Sequence, residues 1–380
     1  MSRVAPNPDN LVTVDLQAVA DNLAALRALL PMGMGVAGVV KADAYGHGMV
    51  PVARRLKAEG AEALAVAQVN EGALLRRAGI EGPILVLMGL TPEQTPLAAA
   101  HDLSPFLAVW EDFAALSQAA QAGGAQTACH LKIDTGMSRL GASPGEALEL
   151  LERVAALPGL KIEGLASHLA TSGVPGDPTA QKQAEVFSSL LAEARRRGHA
   201  LPASSLEASG GILARPKNAS EPPGLARLGI SLYGGLPAME SRGVAPLRTA
   251  MRFISRLAAV RLVPAGAGVS YGHLWRAPQD TWLGVVAAGY SDGYPRSASN
   301  RGQVLIAGKP APIRGRVCMN AVMVDLTGFD PLPAPGDEVV LLGRSGAEEI
   351  TADQLGGWAD TISYEITCSL GAANRRRHRS

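Results

Sequence analysis

The sequence predicts an α/β protein, with a (β/α)8 barrel over residues 1–246 and a mainly β domain over residues 247–380. From Thr13 to about Leu232, eight short apolar runs alternate with stretches of helical period, which is the pattern of repeated βα units. After about Pro246 the period changes to two, with β-branched residues separated by Gly, Pro and Asp turns. An open doubly wound sheet is disfavoured, because no Gly-x-Gly-x-x-Gly turn follows a first strand.

Taken in order, Leu16, Val19, Leu23 and Leu26 recur every three or four residues and predict an amphipathic helix. The run 35–40 is the first buried strand. Runs 63–67, 83–88, 104–108, 127–133, 161–167, 204–208 and 226–232 complete eight strands, each apolar on both faces as parallel strands under helices are. Thr91-Pro92 and Ser143-Pro144-Gly145-Glu146 resemble capped helix starts with proline at the first position. In the second domain, strands are expected at 252–262, 282–288, 304–307, 322–326 and 338–342, with a helix from about 352 to 358. The first ten or so residues are expected to pair with this domain. The tail from Asn374 is expected to be solvated and disordered, as terminal charge runs usually are.

Composition limits the function. A chain of 380 residues that is 47% hydrophobic and 18% charged folds around a sizeable core. Its net charge is 35 − 34 = +1, and Arg375, Arg376, Arg377 and Arg379 supply four of the cations, leaving a body of 1 − 4 = −3. No basic field favours nucleic acid or an anionic membrane. Three scattered cysteines give neither a disulfide framework nor a CxxC site, and no apolar run is long enough to act as a leader or a span. A cytoplasmic location is expected.

Position makes the rare tyrosines informative. Five of six adjoin a glycine, at Tyr45, Tyr233, Tyr271, Tyr290 and Tyr294, where backbone turns and ligands can approach closely. In a barrel, chemistry gathers at the carboxyl ends of the strands. Lys41 stands where the first strand meets the loop Ala42-Asp43-Ala44-Tyr45-Gly46-His47-Gly48. It is either a surface lysine or a Schiff-base lysine whose partly desolvated amine attacks a carbonyl. The fifth strand ends in Lys132-Ile133-Asp134-Thr135-Gly136-Met137-Ser138-Arg139, the sixth brings His168, the seventh Ser209-Gly210-Gly211, and the eighth Arg227, Gly229 and Ile230. Loops after strands seven and eight commonly bind phosphate through backbone N–H groups that glycine leaves uncovered.

Together these motifs resemble the alanine racemases, pyridoxal-phosphate enzymes of fold type III. The resemblance is carried by Val40-Lys41-Ala42-Asp43-Ala44-Tyr45-Gly46-His47-Gly48, the Lys132–Gly141 run, Ala226-Arg227-Leu228-Gly229-Ile230, Gly268-Val269-Ser270-Tyr271-Gly272-His273, Gly289-Tyr290-Ser291-Asp292-Gly293-Tyr294-Pro295-Arg296, Gly315-Arg316-Val317-Cys318-Met319 and Ile362-Ser363-Tyr364. It spans residues 12 to about 370.

The resemblance implies pyridoxal 5'-phosphate as cofactor, alanine as substrate, and a homodimer with shared active sites. Lys41 and a partner subunit's Tyr271 would be the two bases that interconvert L- and D-alanine, either for peptidoglycan or in the catabolic direction. Tyr271, ordinarily near pH 10, would have to come down by about three to work near pH 7, about 4 kcal/mol, and the cations of His168 and Arg227 are expected to supply that. Arg227 would face the ring nitrogen and, holding its own proton, leave that nitrogen unprotonated. Tyr45, Ser209, Gly210, Gly229, Ile230 and Tyr364 would hold the phosphate. Arg139 and the Met319 backbone would hold the substrate carboxylate, with Tyr271 and Tyr364 narrowing the entrance and Tyr290, Arg296 and Arg316 lining the corridor. Lys132 matches a position often carboxylated in the family.

The sequence departs from the family pattern at Ala208, Ser172-Gly173, Asn320 and the ending after Cys368. The rivals are a serine or broad-specificity racemase, a decarboxylase using a partner cysteine in place of Tyr271, and a non-catalytic pyridoxal-phosphate protein. Relative kinetics on alanine, serine and lysine separate the first, and measurable turnover removes the last.

Overall fold

The computed structural model describes residues 7–214 and 224–380. The chain begins in its second layer. Strand β1 (Leu11–Asp15) buries Val12 and Val14 in the core of the β domain, and Asp15 then caps the helix Leu16–Arg27, its carboxylate accepting the Ala18 N–H at 2.9 Å. Val19, Leu23 and Leu26 of that helix face the barrel. Residues 1–6 of the segment expected to pair with the β domain lie outside the described residues. The pairing seen is that of Leu11–Asp15.

Seven parallel strands follow: β2 (Gly35–Val39), β3 (Ala63–Val66), β4 (Ile84–Val86), β5 (Ser104–Leu107), β6 (Thr127–Lys132), β7 (Leu160–Ala166) and β8 (Leu225–Leu228). Their order is β7-β6-β5-β4-β3-β2-β8, so each strand lies beside its neighbour in sequence until β8 returns to β2. The expected run 204–208 is not a regular strand, yet it closes the circle. Ser205 exchanges backbone bonds with Leu165 and Ser167, while Leu225 and Arg227 donate to the carbonyls of Ser204 and Glu207. Hydroxyls replace part of the ladder here. The Ser204 hydroxyl accepts the Leu165 N–H at 3.1 Å, and that of Ser205 donates to the Leu225 carbonyl at 2.6 Å. The run 226–232 is likewise shorter as a strand, because Gly229 turns the backbone into a short 3-10 helix, Ile230–Tyr233.

Two of the signalled helices begin later than expected. Thr91 and Ser143 make turns, through Gln94 and Glu146, and the helices start at Thr95 and Ala147. In each a local hydrogen bond holds a turn ahead of the helix, from the Thr91 N–H to the Gln94 side chain and from the Ser143 hydroxyl to the Glu146 carboxylate.

The second domain is built on β9 (Met251–Val263), a long strand that pairs with β1 along one end. The hairpin β10 (Gly268–Val269) and β11 (Trp275–Arg276) carries Tyr271 at its tip. Strands β12 (Thr281–Val286), β13 (Gln303–Ile306), β14 (Lys309–Pro312), β15 (Val322–Asp325), β16 (Glu338–Ser345) and β17 (Glu348–Ile350) complete its sheet around a core holding Phe253 and Tyr294. The expected helix is Ala352–Trp358, and a second, Ser363–Ala373, follows it.

The tail corrects the expectation of disorder: Arg375–Arg379 form β18, parallel to β1 in the register Leu11↔Arg375 to Asp15↔Arg379. An edge strand tolerates charge, because its side chains can stay wet while the backbone pairs, so counting arginines was a poor guide.

Asn22 joins barrel and β domain. Fully buried, its amide donates to the carbonyls of Leu232 (3.0 Å) and Arg248 (2.8 Å), and its oxygen accepts the Arg248 N–H at 2.7 Å. Asn22→Ala leaves those backbone groups unsatisfied and is expected to cost about 2–3 kcal/mol. Urea unfolding would show this as a lowered midpoint at unchanged slope.

Candidate active site

Lys41 follows β2 at the carboxyl end of the barrel. Burial, then the charge of Arg139, holds its amine below the ordinary lysine range. The chain then does something few L-residues do: Ala42, Asp43, Ala44 and Tyr45 all take left-handed backbone angles, with φ of 51 to 55°. At about 1–2 kcal/mol each, such a turn needs support. Glu71 supplies some, accepting the Ala42 N–H at 2.7 Å with one oxygen and the N–H groups of Ala67 (2.8 Å) and Gln68 (3.0 Å) with the other. Glu71 is a functional support that the sequence does not signal, because Gln68 ahead of it is not one of the usual helix-capping residues.

Tyr45 emerges from the turn buried, its ring 5.1 Å from Tyr233 and 5.8 Å from Tyr364. Tyr233 braces the strand end, its hydroxyl donating to the Val39 carbonyl at 2.8 Å while its ring stacks on His47. Burial raises both Tyr45 and Tyr364, the latter to about 12 with help from Asp353, so both remain phenols.

Facing Tyr45, the last two barrel segments form a cradle. Ser209 opens the short helix Ser209–Ala214, and its hydroxyl accepts the Gly229 N–H at 2.9 Å. A Cβ at Gly229 would lie 2.6 Å from the Tyr45 hydroxyl oxygen, and one at Gly210 would lie 2.6 Å from that of Ser172. A side chain at either position would have to push a hydroxyl aside, so glycine lets these groups pack at close range. Ile230 starts the 3-10 turn beside it.

Deeper in the barrel, Arg227 is 4% exposed. It donates to the Ser205 hydroxyl, the Ser167 carbonyl (2.7 Å), the Leu206 carbonyl (3.1 Å) and His168 Nδ1 (3.0 Å). A guanidinium only donates, so Nδ1 accepts and the imidazole hydrogen sits on Nε2. Burial and the Arg227 charge push His168 down to about 2. The expectation that His168 supplies positive charge is therefore corrected: an imidazole buried against a permanent cation stays neutral, which leaves the charge to Arg227.

Lys132, 9% exposed at the end of β6, is pushed well below its ordinary range by burial and then by Arg227 and Arg139. Arg139 is exposed on a loop gathered by Asp134, whose carboxylate accepts the N–H groups of Gly136, Met137 and Ser138 at 2.9, 2.9 and 3.0 Å. Lys132, Arg139 and His168 line one small cleft.

The remaining expected residues lie on the β domain. Tyr271 is 72% exposed and Met319 is 54% exposed. The Ser270 hydroxyl links their loops, donating to the Arg316 carbonyl at 2.7 Å and lying 3.3 Å from the Cys318 sulfur. Ser291 donates to the Met319 carbonyl, and Asn320 donates to Ser291. Arg296 lines two neighbouring cavities, one of about 660 Å³ with Arg316 and one of about 440 Å³ with Tyr290. Among the described residues, no hydrogen bond, ion pair or ring contact joins Tyr271 or Met319 to Lys41 or Arg139 of the same chain.

A barrel whose strand ends gather a depressed amine, a donor-lined cradle and a buried arginine, with a β domain attached, is the scaffold of an enzyme acting on a small anionic molecule. Comparison narrows this. Residues 14–237 match the family model "Alanine racemase, N-terminal domain" and residues 250–378 match "Alanine racemase, C-terminal domain". The chain is 38% identical over 360 residues to an alanine racemase of Syntrophobacter fumaroxidans, covering 95% of each. It is 40% identical over 358 residues to that of Symbiobacterium thermophilum, covering 94% and 93%. Its fold matches the alanine racemase of Streptomyces lavendulae at a TM-score of 0.91, with 35% identity and 100% and 98% of the chains covered. It matches that of Bartonella henselae, solved with covalently bound pyridoxal phosphate, at 0.85, with 28% identity and 98% and 100% covered. The chain belongs to the alanine racemase family and is an isomerase. No helix among the described residues is long and apolar enough to cross a membrane.

Three histidines, His47 and His130 fully buried and His168 partly, give a pH prediction. Burial pulls His47 and His130 from 6.5 to about 4, and His168 goes to about 2. Below pH 6.5 the unfolded chain binds protons that the folded chain refuses. Stability is therefore complete above 6.5 and is lost as pH falls from there toward the folded values, by up to about 1.4 kcal/mol per pH unit for each histidine. Urea midpoints should be level from pH 7.5 to 7 and fall steeply between 6 and 5. A level profile down to pH 5 would contradict the burial of neutral imidazoles.

Proposed function

We propose that the protein interconverts L- and D-alanine with pyridoxal 5'-phosphate bound through Lys41, in a homodimer whose partner subunit supplies Tyr271. The observation that carries this is the left-handed turn after Lys41, which brings the Tyr45 hydroxyl against Gly229 at the barrel end where burial also holds the Lys41 amine below its ordinary range. The fit rests on the hydroxyls of Tyr45, Ser209 and Tyr364 and on the backbone at Gly210, Gly229 and Ile230, where the Ser209 hydroxyl accepts the Gly229 N–H and so turns its own hydrogen toward an anion. The group, when bound, lets the substrate Cα–H ionise by spreading the negative charge into its ring.

The chain's own residues do the rest. The Lys41 amine holds or takes the Cα proton on one face, and the Tyr271 phenol holds or takes it on the other. Arg227 would meet the ring nitrogen as a donor that never gives up its proton, with its orientation fixed by Ser205, Ser167 and His168. The exposed Arg139 fork and the Met319 backbone receive the substrate carboxylate. Lys132, held toward its neutral form, is an amine able to take up carbon dioxide, and the resulting carbamate would face Arg139 with the opposite charge. Tyr271 and Tyr364 narrow the entrance in favour of a small side chain, with Tyr290, Arg296 and Arg316 in the approach. A cytoplasmic supply of D-alanine for cell-wall peptidoglycan, or its catabolism, follows from the same reading.

Lys41→Ala should abolish the visible absorption of lysine-bound cofactor. Tyr271→Ala should keep cofactor and lower racemisation at least 100-fold, the scale of a lost acid–base group. Mixing the two dead variants is the sharper test. In a mixed dimer one site combines both defects, and the other pairs an intact Lys41 with an intact Tyr271, so random exchange should restore about a quarter of wild-type activity. No recovery after demonstrated subunit exchange would exclude a shared site.

A further inference from the structure

The C-terminal strand reaches the turn behind Lys41. In β18, side chains two apart share a face, and Arg376 and His378 both meet the loop 42–48. The Arg376 guanidinium pairs with the Asp43 carboxylate and donates to the Gly46 carbonyl at 3.0 Å. His378 Nε2 donates to the His47 carbonyl at 2.8 Å. A Cβ on Gly48 would lie 2.6 Å from that nitrogen, so the ring rests directly on the loop.

Asp43 is held from two sides. One carboxylate oxygen accepts the Met49 N–H at 2.6 Å and the other meets Arg376, so a residue in the middle of the left-handed turn is fixed between its own chain ahead and the end of the chain. Lys41 is two residues before Asp43. Rotation of the turn would carry its amine with it.

We infer that Arg376 is a positioning residue: by gripping Asp43 and the Gly46 carbonyl, it keeps the left-handed turn in the one conformation that aims the Lys41 amine into the barrel mouth. This rests on the reading of Lys41 as the cofactor-bearing base. The ion pair is half solvated, and such pairs add little to global stability, so its effect is local order.

The test uses full-length, cofactor-loaded protein and three variants, Arg376→Met, Arg376→Lys and Asp43→Asn. Hydrogen exchange of the Gly46 and Gly48 amides reports the turn without reference to turnover. In Arg376→Met these amides should exchange about tenfold faster while those of β2 are unchanged. kcat per bound cofactor should fall about tenfold in both directions, with KM for alanine changed less than about threefold, as a misaimed base predicts. Arg376→Lys keeps the charge but loses the fork, and should lie between. Asp43→Asn removes the same pair from the loop side and should match Arg376→Met, which keeps the test available if that variant folds poorly.

Unchanged loop exchange and unchanged kcat would overturn the proposal. So would a uniform acceleration of all amides, which would make Arg376 a general stability contact. A wrong assignment of Lys41 is seen separately, as a Lys41→Ala protein that keeps its colour.

Discussion

The site is organised around a positive charge that has been buried and cannot be removed. Arg227 lies inside the barrel, and burial lowers it only to about 10, so it keeps its proton at any working pH. Its neighbours must therefore be acceptors. Three of them are neutral oxygens from the segments around Ser167 and Ser205, and the fourth is His168 Nδ1, with Glu207 supplying the opposite charge nearby. The same field fixes the His168 tautomer, keeps that ring neutral and disfavours the charged forms of Lys132 and Lys41. Burial is the larger cause at all three groups, and at Lys41 the charge of Arg139 comes next.

This also accounts for the irregular closure of the barrel. A regular strand at 204–208 would commit its backbone to ladders on both sides. Here the Ser205 hydroxyl both accepts from Arg227 and donates to the Leu225 carbonyl, and the Leu206 carbonyl turns toward the guanidinium. Closure is sacrificed locally where the cation needs oxygen. On the opposite side, the left-handed turn after Lys41 is packed as tightly as it is strained. A Cβ on Gly46 would lie 2.2 Å from the Thr367 carbonyl, and one on Gly371 would lie 2.0 Å from the Gly46 carbonyl, so the helix carrying Tyr364 and the Lys41 turn fit only as a pair.

Much of this was legible in the sequence, for identifiable reasons. Parallel strands covered on both faces leave apolar runs, and the runs located β2 to β8 to within a few residues. The rule that strand ends carry chemistry pointed to Lys41, Arg227 and His168. Tyrosine beside glycine pointed to Tyr45, but Tyr233 and Tyr294 obey the same pattern and are buried core residues of the barrel and the β domain, since adjacency says nothing about which way a ring turns. What failed depended on partners far away in sequence. The neutrality of His168 is set by burial and then by an arginine 59 residues on. The tail becomes a strand only because β1, over 350 residues earlier, offers an open edge.

The exposure of Tyr271 is the remaining physical question. A tyrosine at the tip of a mobile loop would mean little, but this one follows Ser270, a non-glycine residue held at a φ of 61° whose hydroxyl is spent on the Arg316 carbonyl. Backbone strain of this kind costs about 1–3 kcal/mol and persists only where the surroundings enforce it. The fold thus fixes the backbone leading into a phenol that its own chain leaves largely in solvent. Arg139 on the barrel is also exposed, just after a turn whose three N–H groups gather on Asp134. Tyr271 and Arg139 lie on different domains and no hydrogen bond, ion pair or ring contact among the described residues joins them within a chain, which is the arrangement that the proposed head-to-tail pair of subunits uses.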